Sequence, residues 1–250
     1  MSGAAMIEVK DLVQRIGGQE ILRGFSIPVH RGETLVLLGR SGGGKSVFLR
    51  HLIGLMKPVS GQVIVDGVDI TQLGERALEP VRRKIAMVFQ DGALFDSMTV
   101  FDNVAFTLRE RGERDEETIR RKVRETLELV NMTGHEHKMP VNLSGGMRKR
   151  VALARAIVWP PEVILYDEPT AGLDPIVSDS INRLIRRMQR QLHVTSIVVT
   201  HDMVSCNHIA DRVALLHEGR VRFYGTLEEL SKTDDSVVRD FVDGRSHEAE

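Results

Sequence analysis

A single cysteine, Cys206, stands among the 250 residues, which excludes an internal disulfide and suits a reducing compartment. An excess of charge of either sign is also lacking. Lys and Arg number 34 and Asp and Glu 35, a formal net charge of −1, so charge balance gives no footprint for nucleic acid. No apolar run approaches the roughly 20 residues that a bilayer-spanning helix requires. Met1-Ser2-Gly3-Ala4-Ala5 is small and uncharged with no apolar stretch behind it, so no secretory signal is expected. Internal repeats and low-complexity tracts are absent too. These absences predict a soluble cytosolic chain whose dealings with a membrane run through a partner. What is there is ordinary globular composition, 42% apolar and 28% charged, enough to bury a core in one large domain or two small ones.

One stretch organises the rest. Gly39-Arg40-Ser41-Gly42-Gly43-Gly44-Lys45-Ser46 fits G-x-x-x-x-G-K-[ST], the phosphate-binding loop of nucleoside triphosphatases. Thr34-Leu35-Val36-Leu37-Leu38 before it reads as a buried parallel strand, and Val47-Phe48-Leu49-Arg50-His51-Leu52-Ile53 after it as a helix opening. Glycines let the backbone curl so that several N–H groups face one anion, and the helix N-terminus adds partial positive charge. Residues 39–47 are therefore the candidate phosphate cradle. Lys45 reaches the β- and γ-phosphates, and the Ser46 hydroxyl suits Mg²⁺.

Around this loop the chain reads as alternating strands and helices. Residues 6–38 look like short strands and turns, and Asp66-Gly67 signals a hairpin. Ile85-Ala86-Met87-Val88-Phe89 is a buried-strand candidate that delivers Gln90 to its carboxyl end, where open α/β sheets bind ligands. Residues 98–158 read as mostly helical, with Ile119, Val123, Leu127 and Val130 on one helix face. Val163-Ile164-Leu165-Tyr166 runs into Asp167-Glu168, a pair suited to place one carboxylate on Mg²⁺ and the other on an attacking water. Ile181, Leu184, Ile185, Met188 and Leu192 mark another helix face. Ser196-Ile197-Val198-Val199 leads to Thr200-His201, which sets His201 at the same sheet edge. Glu218-Gly219 signals a second hairpin, and Thr226-Leu227-Glu228-Glu229 a capping box. The run from Ser231 is charged and ends in Arg245-Ser246-His247-Glu248-Ala249-Glu250, a tail expected to fray.

Leu143-Ser144-Gly145-Gly146-Met147 is a second Ser/Gly nest leading into a helix, another anion site. With it, the order of motifs over residues 6–230 resembles that of the ABC-type ATPases. The resemblance implies an α/β fold: a P-loop, RecA-like core with an N-terminal antiparallel β subdomain and an inserted helical subdomain. It places core and β subdomain at 6–90 and 160–225, the helical subdomain at 91–159 and a charged tail at 231–250. It also implies ATP and Mg²⁺ as ligands. Gln90 would contact Mg²⁺ and sense the γ-phosphate, Asp167 would ligate Mg²⁺ through water, and Glu168 would be general base. His201 would contact the γ-phosphate, and Lys45 would stabilise its charge. Ala171-Gly172-Leu173-Asp174 matches a loop that crosses a dimer interface. Ser144, Gly145 and Gly146 would cap ATP held by a second subunit in a head-to-tail homodimer.

Two departures from the family pattern stand out. No aromatic residue precedes Phe25, so adenine is left to rest on Ile16 or on Arg15. The signature ends in Met147, where most members carry glutamine. Together with Gln90-Asp91-Gly92-Ala93-Leu94-Phe95, Val100-Phe101-Asp102-Asn103-Val104 and Asp240-Phe241-Val242-Asp243-Gly244, that signature looks like the Mla/Mce branch. The branch implies transport of phospholipids or other hydrophobic molecules across the bacterial envelope, from the cytoplasmic face of the inner membrane. Its partners would be a multi-span permease, an MCE-type protein and a small STAS-domain protein. The residues leave two alternatives open: an ATPase for a polar solute such as an amino acid, and a soluble ABC protein without a transport role.

Overall fold

The structure is a computed structural model and describes residues 5–245. Residues 1–4 and 246–250, which hold most of the N-terminal stretch and the end of the tail discussed above, lie outside the described residues. In place of several short strands, the chain opens with two long ones. Strands β1 (Ala5–Ile16) and β2 (Gln19–His30) are twelve residues each and pair antiparallel with several register shifts. Strand β3 (Thr34–Gly39) then leads into helix α1 (Lys45–Leu52). Strands β4 (Ser60–Val65) and β5 (Val68–Asp69), helix α2 (Glu75–Lys84) and strand β6 (Ile85–Val88) follow. A helical stretch comes next: α3 (Val100–Glu110), α4 (Glu116–Leu129), a 3₁₀ turn at Pro140–Asn142, and α5 (Gly145–Ile157). The chain returns through β7 (Val163–Asp167), α6 (Pro175–Leu192), β8 (Thr195–Thr200), α7 (Met203–Ile209), β9 (Arg212–His217) and β10 (Arg220–Gly225). It ends with α8 (Leu227–Ser231) and α9 (Ser236–Val242).

Two sheets result. A four-stranded antiparallel sheet has the order β2-β1-β4-β5, and β2 is an edge strand, the place a sheet tolerates Pro28. The six-stranded sheet has the order β10-β9-β3-β8-β7-β6, parallel throughout except at β10. Every residue of β3 and β8 is buried, as expected of parallel strands covered on both faces. The period of two then sorts their side chains into two cores. Leu35, Leu37, Ile197, Val199, Val163 and Leu165 pack with α1 and the antiparallel sheet. Val36, Leu38, Val198, Ile164 and Tyr166 pack with α3, α4, α5 and α6.

The turns follow their residues. Asp66-Gly67 joins β4 to β5, and Glu218-Gly219 joins β9 to β10. Both residues of each pair have positive φ (49° and 77°, 48° and 78°), the conformation that matches the twist of a two-residue hairpin. Thr226 and Glu229 complete the capping box of α8. Helix α2 buries only Leu78 and Val81 and contains Pro80, so no apolar stripe announces it. The charged run after Ser231, expected as a fraying tail, carries α9 instead. Asp235 caps that helix through the N–H groups of Val237 and Val238, and Val238 is fully buried in the larger core.

Parallel pairing fixes where function can sit. Strands β6, β7, β8 and β3 point the same way, so the residues that leave their carboxyl ends collect along one edge.

Candidate functional site

At that edge β3 turns through residues 39–44 into α1, and the turn is built for close backbone approach. Gly44 caps α1 at φ 101°, and a Cβ there would stand 2.9 Å from the Ile21 side chain. A Cβ on Gly39 would meet the Leu216 carbonyl at 2.9 Å. Lys45 is 6% exposed, and its Nζ donates to the carbonyls of Gly39 (2.8 Å) and Arg40 (3.1 Å). Its remaining direction is taken by Glu168 Oε1 at 3.2 Å. An ammonium has three donors, so all three are engaged.

Glu168 follows β7 with φ 46°, an uncommon conformation for a residue with a side chain. Its N–H donates to the Val199 carbonyl at 3.0 Å, which ties it to β8. Its second carboxylate oxygen lies 3.1 Å from His201 Nδ1, just past the end of β8. Asp167, the last residue of β7, accepts from the Ser46 hydroxyl at 2.9 Å. Burial pushes the Asp167 carboxyl above its ordinary range, and the Ser46 hydroxyl opposes that shift. Lys45, Ser46, Asp167, Glu168 and His201 thus form one contiguous polar chain.

A cleft of about 460 Å³ opens over these groups. Residues 41–47 form its floor, and Gln90, Glu168, Ala171 and His201 line one side. Ile16, Gln19 and Ile21 line the other, and Ile16 is 45% exposed. Gly39, Arg40 and Asp167 stand just behind the lining, the first two through their carbonyls and the third through Ser46. Of the two residues considered for the base, Ile16 faces the cleft. Arg15 is held by Glu20 at 2.6 Å and is not part of the lining.

Ser144, Gly145 and Gly146 lie elsewhere. Ser144 caps α5 by accepting from the Met147 N–H at 3.3 Å, and Met147 packs against the larger core. Gly146 faces α6, where a Cβ would come within 2.5 Å of Val177. None of the three lines the cleft. Two contacts escape sequence reasoning. One is the Lys45–Glu168 ion pair. The other is Lys149 of α5, 7% exposed, whose ammonium donates to the carbonyls of Gln90 and Glu168.

The arrangement offers a helix N-terminus and an ammonium for phosphate, a hydroxyl–carboxylate pair, and a carboxylate–imidazole pair beside them. A glycine-rich loop and carboxylates at the carboxyl edge of a parallel sheet define a P-loop nucleoside triphosphatase. Comparison with known proteins narrows the class. The model of the ABC transporter family matches residues 22–171, and the chain belongs to that family. A mycobacterial protein, the probable ribonucleotide transport ATP-binding protein mkl of Mycobacterium leprae, is 43% identical over 239 residues, 96% of this chain and 69% of mkl. The intermembrane phospholipid transport system ATP-binding protein MlaF of Haemophilus influenzae is 41% identical over 241 residues, 96% of this chain and 91% of MlaF. Among solved structures, the ATP-binding cassette MJ0796, a dimer in a post-hydrolysis state with ADP and Pi, superposes with a TM-score of 0.81. The two are 30% identical over 89% of this chain and 99% of that one. The chain is an ATP-binding, ATP-hydrolysing cassette, with a P-loop core, an antiparallel β subdomain and a helical part.

Proposed function

We propose that this chain is the ATPase subunit that drives movement of phospholipids or other hydrophobic molecules across the bacterial envelope through a partner permease. One observation carries the cargo: the likeness to a phospholipid-transport ATP-binding protein extends over nearly the whole of both chains, 96% and 91%. The mkl name favours a second reading, ribonucleotide as cargo, but that likeness leaves about a third of mkl unmatched.

The roles follow from the cleft. The phosphates of ATP lie on the N–H groups of residues 41–47, and Lys45 turns from Glu168 towards them. Release of Glu168 frees a carboxylate to accept a proton from the attacking water, while His201 holds that carboxylate and the γ-phosphate in register. Mg²⁺ fits the donor set. The Ser46 hydroxyl and Asp167 carboxylate are hard oxygen donors already 2.9 Å apart, and Gln90 lines the same cleft. When bound there, Mg²⁺ would neutralise charge on the β- and γ-phosphates. Ser144, Gly145 and Gly146 have no place in their own subunit's cleft, so they serve a second copy in a head-to-tail homodimer.

The β-containing core (6–90 and 160–225) holds ATP, and the helical part (91–159) meets the permease. Phe89 and Phe95 are each 40% exposed, with Phe95 against Phe106 at 4.8 Å between ring centroids, an apolar ledge for a membrane protein's helix. Among the described residues no helix is long and apolar enough to cross a membrane, in keeping with attachment at the cytoplasmic face of the inner membrane through that ledge. MCE-type and STAS-domain proteins complete the proposed assembly, and nucleic acid has no part in it. The test is affinity isolation of the tagged protein from gently solubilised native membranes, with co-purifying proteins and lipids identified by mass spectrometry. A multi-span permease with an MCE-type protein and phospholipid is the expected result. A nucleotide or amino-acid permease moves the cargo elsewhere, and the absence of any membrane partner contradicts the reading.

A further inference from the structure

Helix α5 grips the loop after β6 at two points, and both grips are on main-chain carbonyls. Arg155 donates to Gly92 (2.8 Å) and Ala93 (2.7 Å) and lies 5.6 Å over the Phe95 ring. Lys149, one turn beyond Gly145, donates to the Gln90 carbonyl. Lys149 alone also reaches the core, at the Glu168 carbonyl 3.4 Å away. The Glu168 side chain is in turn held by Lys45 and His201. Burial lowers the pKa of Lys149, and the carboxylates of Asp91, Asp167 and Glu168 oppose that shift. Burying an ammonium is costly, and an apolar side chain of equal length would fill the same space without that cost.

We infer that Lys149 is a positioning residue that couples the Ser144-Gly145-Gly146 end of α5 to Gln90 and Glu168 of the same subunit. The inference rests on the cleft being the hydrolytic site. Because its acceptors are backbone carbonyls, Lys149 sets the path of the chain that carries Gln90 and Glu168 and leaves their side chains free. When the start of α5 engages nucleotide on a second copy, the shift is passed through one ammonium to both positions. Lys149 itself does not line the cleft.

Full-length wild type, K149M, K149R and E168Q are compared for kcat, KM for ATP and melting temperature. K149M keeps the length and loses the donors. Its kcat is expected to fall about tenfold or more with KM changed less than about twofold, the pattern of a misplaced catalytic group with intact substrate binding. Its melting temperature should stay near that of wild type, and K149R, which keeps donors for both carbonyls, should recover most of kcat. Wild-type kcat in K149M overturns the inference. So does a parallel fall of kcat and melting temperature that K149R does not recover, since that marks packing alone. If K149M does not fold, K149L, whose side chain is shorter and carries no donor, is read by the same criteria. E168Q separates the two levels. Wild-type turnover in E168Q sinks the hydrolytic site itself, whereas an inert E168Q beside a fully active K149M sinks only the role of Lys149.

Discussion

Ile16 faces the nucleotide cleft with nearly half its surface exposed, beside Gln19 and Ile21, and Arg15 is turned away to Glu20. Under the proposed function the base of ATP meets aliphatic carbon there, where an aromatic ring would stack. Stacking of a base on a ring contributes about 1–3 kcal/mol, so Ile16→Tyr should tighten ATP binding by about fivefold or more. Calorimetric titration checks this, and unchanged or weaker affinity contradicts the placement of the base. At this scale the phosphate loop was legible because its chemistry demands particular residues at fixed spacing. Gly44, at φ 101° and pressed on Ile21, admits no side chain. The Lys45–Glu168 pair and the Lys149 grip were not legible. Each depends on side-chain reach between segments that only the finished sheet brings together.

Helix α1 does more than present Lys45. His51 on its buried face is 1% exposed, with Nδ1 2.8 Å from the Val47 carbonyl and Nε2 3.2 Å from Gln14 Oε1. Burial depresses its pKa below the ordinary 6.5, opposed by the Val47 carbonyl, so the folded ring takes up its proton at lower pH than the unfolded chain does. The unfolded state then binds more protons, and stability falls as pH drops through 6.5. Between about pH 7.5 and about 5.5, wild type should lose more melting temperature than His51→Gln, whose side chain does not titrate. Equal losses in the two proteins would contradict a depressed pKa for His51. Elements differed in how far sequence foretold them. Helices α4 and α6 carry apolar residues at helical spacing and were legible, as were β3 and β8 with their unbroken apolar runs. Helix α2 was hidden by its polar composition and Pro80. Helix α9 was hidden inside a charged run, because a single buried Val238 and an Asp235 cap suffice to dock it.

The whole molecule divides its cores across one parallel sheet and leaves its two anion-binding nests apart. The cleft over residues 41–47 contains no residue of the Ser144-Gly145-Gly146 nest, whose helix faces α6 instead. Under the proposed head-to-tail arrangement, a chain that carries both nests but brings only one to the cleft is completed by a second copy. Sequence order gave the two nests, and only the fold separates them in space. The most direct test is the mass of Glu168→Gln in solution, by light scattering with and without ATP and Mg²⁺, beside its rate of hydrolysis. Loss of the proposed general base should lower turnover about a hundredfold or more and leave ATP bound. The account predicts twice the chain mass with ATP and Mg²⁺, and the single-chain mass without them. A variant that hydrolyses at the wild-type rate, or stays at single-chain mass with ATP, would contradict it.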